Sequence, residues 1–182
     1  LHLSIRRQRQ MCIRDSWLVE QRGMDRADVE AMIEGLRSDE AAEYEWTMQI
    51  DASELRPMVA TPGDPGNGMP IDELPDEVPL DIVYAGSCTG AKKDDIRMAA
   101  EVVKAALERG ERVADSVTAY LQYGSLEVEE MAHQEGYHDL FVQAGFNVLA
   151  PGCGACINAG PGVSTTPDDV TVSSINRNFP GR

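Results

Sequence analysis

The sequence predicts an α/β fold: α/β/α three-layer units around mostly parallel sheets, truncated at the carboxyl-terminal end. Three observations carry this expectation. Short apolar strand patterns alternate with helical ones between Leu80 and Ser173, the signature of strand–helix–strand units. Two cysteine-bearing loops, Gly86-Ser87-Cys88-Thr89 and Pro151-Gly152-Cys153-Gly154-Ala155-Cys156, each follow directly on a strand pattern. Functional loops of parallel sheets gather at such carboxyl ends. A content of 42% apolar residues suffices for a core, while no apolar run approaches the ~18 residues of a membrane-spanning helix.

Residues 1–16 stand apart from the rest. Four arginines (Arg6, Arg7, Arg9 and Arg14) face only Asp15, with no signal-peptide core or cleavage pattern. The run reads as a non-native leader resembling translated adapter sequence, or as a basic tail, and Cys12 within it is left out of any site. Residues 17–56 read as the end of a preceding α/β unit. Val29, Met32, Ile33 and Leu36 recur at helical spacing over Asp28–Arg37, with Asp25 or Asp28 as cap. Tyr44–Ile50 alternates as a strand with Trp46, Met48 and Ile50 on one face. Residues 57–79 are so dense in proline and glycine that they predict an irregular connector or a long loop along a cleft.

Residues 80–182 form the main predicted domain. Leu80–Ala85 is a buried strand ending at Gly86, and Asp94–Glu108 is a helix with Ile96, Ala99, Ala100, Val103 and Leu107 on one face, stopped by Gly110. Val117–Gln122 is the next strand, then two short helices, Leu126–Glu135 and His138–Gln143, part at Gly136. Phe146–Leu149 is a strand that runs into the C-x-x-C loop, and Val170–Ser173 is the last. His133 and His138 take surface or capping roles, Tyr120 and Tyr123 pack within the sheet, and the acidic runs near Asp94 and Glu127 face solvent at helix starts. Ser87 and Thr89 either cap the following helix or bond toward a bound group.

A net charge of −15 weighs against nucleic acid and anionic membrane surfaces as partners. Cysteines spaced C-x-x-C without a secretory signal read as metal or redox ligands in a reducing compartment, which sets the expectation of a cytoplasmic location. A lone C-x-x-C more often marks a zinc knuckle or a thioredoxin-like pair. Here Gly160, Pro161 and Gly162 follow closely, where a redox motif opens a helix, and no second C-x-x-C or C-x-x-H completes a zinc site. Three thiolates, Cys88, Cys153 and Cys156, are one short of a closed site, so a metal centre held by them keeps an open position.

These residues carry a family resemblance. Ala85-Gly86-Ser87-Cys88-Thr89-Gly90, the Pro-Gly-Cys-Gly-Ala-Cys loop and Ser174-Ile175-Asn176-Arg177-Asn178-Phe179-Pro180-Gly181-Arg182 resemble, in order and spacing, three successive signatures of the aconitase/isopropylmalate dehydratase family. The resemblance covers most of residues 44–182, and the Pro-Gly-Cys form is most similar to its 3-isopropylmalate dehydratase large-subunit branch, which serves leucine biosynthesis. Gly90 stands where the family more often has Asn, and Gly154-Ala155 is an uncommon filling between the cysteines; both departures bear on the substrate rather than on the metal centre.

The resemblance implies a 4Fe-4S cluster held by Cys88, Cys153 and Cys156, with Asn176 beside it and Arg177 and Arg182 gripping carboxylates of a small hydroxy di- or tricarboxylate. It implies a hydro-lyase, with aconitate hydratase and homoaconitase as alternatives within the family. The three sulfurs are then expected to converge on one cavity, with Cys12 remote. Counterparts of the family's acid/base residues are missing, including a serine supplied by a swivelling domain or small subunit, so the chain is expected to be a fragment, inactive alone. Two rivals come from other classes: an RNA-binding regulator, disfavoured by the charge, and a zinc or redox module, which needs a fourth ligand.

Overall fold

The computed structural model describes residues 15–34, 41–176 and 178. The chain divides into two compact units, Leu1–Arg56 and Pro57–Arg182, so the proline- and glycine-rich stretch belongs to the second unit.

In the first unit, residues 15–20 are helical (α1) and Arg26–Ile33 forms α2. Asp25 caps α2 by accepting the Ala27 N–H at 2.8 Å, and Val29 is buried. Residues 35–37 of the predicted helix lie outside the described residues. The predicted strand at Tyr44–Ile50 is not one: the segment carries no strand pairing, and Trp46 is 70% exposed. Alternation marks a segment that suits a half-buried sheet, but a strand exists only when a neighbour takes up its backbone groups.

The second unit opens with a further departure. Within the stretch expected to be irregular, β1 (Met58–Ala60) and β2 (Gly68–Pro70) form an antiparallel hairpin in the register Met58↔Pro70. Pro57 precedes the first strand and Pro70 ends the second, so no proline interrupts the ladder.

The main sheet contains β3 (Ile82–Gly86), β4 (Thr118–Gln122), β5 (Phe146–Leu149) and β6 (Thr171–Ser173) in the order β5-β4-β3-β6, every neighbouring pair parallel. The helices are α3 (Lys93–Glu108), α4 (Leu126–Gln134) and α5 (Tyr137–Ala144). Side chains alternate across a strand. Leu121 and Tyr123 accordingly join Ile96, Ala100, Val128, Met131 and Phe141 in one buried core under the helices. Tyr84, Tyr120 and Gln122 belong to the opposite set, and the segment that follows β5 covers them.

The Lys92 N–H donates to Asp95 at 2.9 Å at the start of α3, and Ser125 caps α4 through the Val128 N–H. His133 stacks on His138 with ring centroids 4.0 Å apart, and His138 Nδ1 lies 3.1 Å from the Tyr123 hydroxyl. These histidines help join α4, α5 and the end of β4. No helix among the described residues is long and apolar enough to cross a membrane.

Candidate functional site

The strand order reverses direction at β3. From β3 the chain adds β4 and then β5 on one side, and β6 is laid down on the other. The loops leaving β3 and β6 therefore lie side by side where the strand order reverses, the kind of switch point at which parallel sheets bind ligands. Cys88 lies on the first of these loops and Asn176 on the second. The two are fastened together: the Gly86 N–H donates to Ser174 Oγ at 2.7 Å, and the Ser174 N–H donates to the Tyr84 carbonyl at 3.0 Å.

The turn that presents Cys88 is built by its neighbours. Ser87 is buried with φ +99°, and its Oγ accepts from the Thr89 and Gly90 N–H groups at 3.4 and 3.3 Å. This local bonding uses the Ser87 hydroxyl within the turn, so it does not cap α3. It leaves Cys88 on the exposed side.

The C-x-x-C loop begins at the wrong place for a shared site. β5 is the edge strand, two strand spacings from β3, or about 10 Å. The segment corrects this by folding back over the sheet. Gly154–Ile157 forms a 3-10 turn in which the Cys156 N–H donates to the Cys153 carbonyl at 3.1 Å. A Cβ on Gly154 would lie 2.8 Å from the Tyr84 hydroxyl and 3.0 Å from Gln122 Nε2, so the loop rests directly on β3 and β4. Cys153 is exposed and Cys156 half-buried, and Cys88, Cys153 and Cys156 are all thiols rather than disulfides.

Burial pushes the Tyr84 phenol above its ordinary pKa. The Ala155 backbone N–H works against this, and the neighbouring Cys156 adds to it. The phenol therefore keeps its proton at neutral pH and donates to Gln122 Oε1 at 2.8 Å.

The predicted residues are brought together in part. The three cysteines lie on loops at one sheet edge, but among the described residues no group of three His, Cys, Asp or Glu side chains is gathered tightly enough to hold a metal ion. Thiolates on one tetrahedral ion stand about 4 Å apart. One cavity, of about 1060 Å³, is lined by residues other than the cysteines. Its walls are β1, Pro62, Gly63 and Pro65 of the turn after it, and residues 164–176 and 178, with Asn176, Ser174 and Asp169 among them. Asn178 joins those walls by donating to the Thr61 carbonyl at 2.7 Å. Arg177, Arg182 and Cys12 lie outside the described residues.

Sequence reasoning missed Tyr84 and Gln122 as site residues. The one available signal was a glutamine inside an otherwise apolar strand, Tyr120-Leu121-Gln122.

Compared with known proteins, residues 14–182 match the Aconitase family (aconitate hydratase). The chain belongs to that family. Curated relatives include the 3-isopropylmalate dehydratase large subunit of Campylobacter fetus, 40% identical over 146 residues that make up 80% of this chain and 33% of that protein. The Geobacter sulfurreducens large subunit is 38% identical over the same shares. That of Gloeobacter violaceus is 34% identical over 88% of this chain and 39% of its own length. The chain thus spans between a third and two fifths of the length of these family members.

Proposed function

We propose that this chain is the cluster-bearing part of an iron–sulfur hydro-lyase of the 3-isopropylmalate dehydratase type, acting on a small hydroxy dicarboxylate. The observation that carries the reading is the return of the C-x-x-C loop from edge strand β5 across β4 to β3, toward the loop that holds Cys88. Membership of the aconitase family and the large-subunit relatives support it.

The residues fit the group in their chemistry. Three thiols sit on loops at the carboxyl edge of one parallel sheet, two exposed and one half-buried. Soft thiolates suit iron–sulfur clusters, and three of them leave one iron open. Cys88, Cys153 and Cys156 would hold a 4Fe-4S cluster, which when bound supplies a Lewis-acidic iron that eases departure of a substrate hydroxyl.

The remaining work falls to the chain. The Ser87 turn and the Ser174 bonds fix the Cys88 loop beside Asn176, so substrate and metal centre meet at the switch point. Arg177 and Arg182, two and seven residues beyond Ile175, would grip substrate carboxylates through bidentate guanidinium bonds. Proton transfer falls to groups outside this chain, with a small swivelling subunit or domain as the partner. Reducing conditions that keep the thiols free suit a cytoplasmic setting.

The test is anaerobic reconstitution of the full-length protein with iron and sulfide, followed by metal and sulfide analysis. Replacing Cys88, Cys153 or Cys156 with Ser should abolish the cluster, while Cys12→Ser should leave it intact. Tight stoichiometric zinc without iron would overturn the reading in favour of a zinc module.

A further inference from the structure

Two buried polar side chains lie beneath the C-x-x-C loop. Tyr84 of β3 is 1% exposed and Gln122 of β4 is 4% exposed, in a strand that otherwise buries apolar groups. Buried polar atoms cost free energy unless they are bonded. These are bonded to each other and to the loop. The Tyr84 hydroxyl donates to Gln122 Oε1 at 2.8 Å, and Gln122 Nε2 donates to the Ala150 carbonyl at 3.3 Å.

The loop is moulded around the pair. A Cβ at Gly162 would lie 2.2 Å from the Tyr84 ring, just as one at Gly154 would collide with its hydroxyl. The backbone of residues 150–162 therefore lies against both ends of one tyrosine. Gly154 sits between Cys153 and Ala155, so a shift of the pair moves both cysteines of the C-x-x-C.

We propose that Tyr84 and Gln122 are positioning residues that hold the C-x-x-C loop in its inward fold and so set where Cys153 and Cys156 present their sulfurs. The pair bridges β3 and β4 and fastens the loop at Ala150, before the cysteines. Gly154, between the cysteines, lies against the phenol hydroxyl and the Gln122 amide, which gives a second point of contact. Cys88 sits on a separate turn that is bonded to the backbones of Tyr84 and Gln122, through the Ser174 and Ser87 N–H groups, rather than to their side chains, so side-chain substitutions in the pair leave those bonds in place. The proposal rests on the cluster reading for its purpose, but the geometry it claims belongs to the apoprotein.

The test uses the full-length apoprotein, with alkylation by iodoacetamide followed at each cysteine by mass spectrometry. Tyr84→Phe keeps the ring and removes the hydroxyl; Gln122→Met keeps the length and removes both hydrogen-bonding groups. In each variant, alkylation at Cys153 and Cys156 should change about five-fold relative to Cys88, the equivalent of one buried hydrogen bond. The thermal midpoint reports whether the fold survives. Unchanged ratios in both variants would overturn the proposal. So would an equal rise at all three cysteines, which indicates general loosening. Reconstitution of the same samples separates the two readings: wild-type protein that takes up no iron would end the cluster assignment while leaving the alkylation ratios to decide the positioning role.

Discussion

Replacing Gly86 with alanine tests whether β3, β4 and the Cys88 turn form one rigid unit. Gly86 has φ +105°, a region L-residues rarely adopt, and an added Cβ would lie 2.0 Å from the Gln122 carbonyl oxygen. The backbone conformation alone should cost about 1–3 kcal/mol. Forcing a methyl group against a strand backbone adds about 1–3 kcal/mol more, for a total of about 2–6 kcal/mol. Gly110→Ala is the matched control: its φ is +78°, but nothing lies within 4 Å of the added methyl. That substitution should show only the conformational part, and the difference between the two isolates the collision. Native-state hydrogen exchange at the paired amides of 82–86 and 118–122 reads the local opening free energy whatever the length of chain attached. A loss of 2 kcal/mol corresponds to exchange about 30-fold faster. If Gly86→Ala accelerates these amides no more than Gly110→Ala does, the close approach of the Cys88 turn to β4 is wrong.

Two further outcomes follow from the segment around β6. The Asp169 carboxylate accepts from the Thr166 hydroxyl and from the Thr165 and Thr166 N–H groups, which hold its pKa at about 2, below the ordinary 3.8. Its folded pKa is depressed, so its contribution is present above the unfolded value and lost as pH falls from about 4 toward about 2; protection of the Thr165 and Thr166 amides, taken relative to their intrinsic exchange rates at each pH, should fall across that window and stay constant there in Asp169→Asn. In the full-length enzyme, Arg177→Lys or Arg182→Lys should leave iron content intact and lower kcat/KM by roughly one to two powers of ten, since lysine keeps the charge but loses the fork. Unchanged steady-state kinetics in both variants would return these arginines to a surface role.

The main sheet was legible because its signals are local. The runs at β3, β4 and β5 are largely apolar and of strand length, with Gly86, Gly124 and Gly145 at or near one end of each, and Ile96, Ala100 and Val103 mark α3 by their spacing. The errors arose where an element depends on a partner. Tyr44, Trp46, Met48 and Ile50 alternate as a strand should, yet all four are exposed. Pairing, not pattern, makes a strand. The β1–β2 hairpin fails in the opposite sense: three-residue strands among prolines carry almost no pattern, and the ladder between Met58 and Pro70 alone defines them.

The same distinction runs through the candidate site. Cys88 and the C-x-x-C were visible as motifs because each is contiguous and each follows a strand. How they approach one another was not visible, because it depends on the lateral order of the strands. Had β5 been laid beside β3, the C-x-x-C loop would have met Cys88 with no inward fold. With β4 between them, the loop must cross about 10 Å of sheet, and an irregular segment crossing a sheet face needs something to hold it there. A glutamine in the intervening strand and a tyrosine in the next one supply that hold, 38 residues apart in sequence and 2.8 Å apart in space. Each looks ordinary in its own strand. Their role exists only once β4 stands between the two cysteine loops, which makes the strand order, more than either motif, the feature that gives Tyr84 and Gln122 their function.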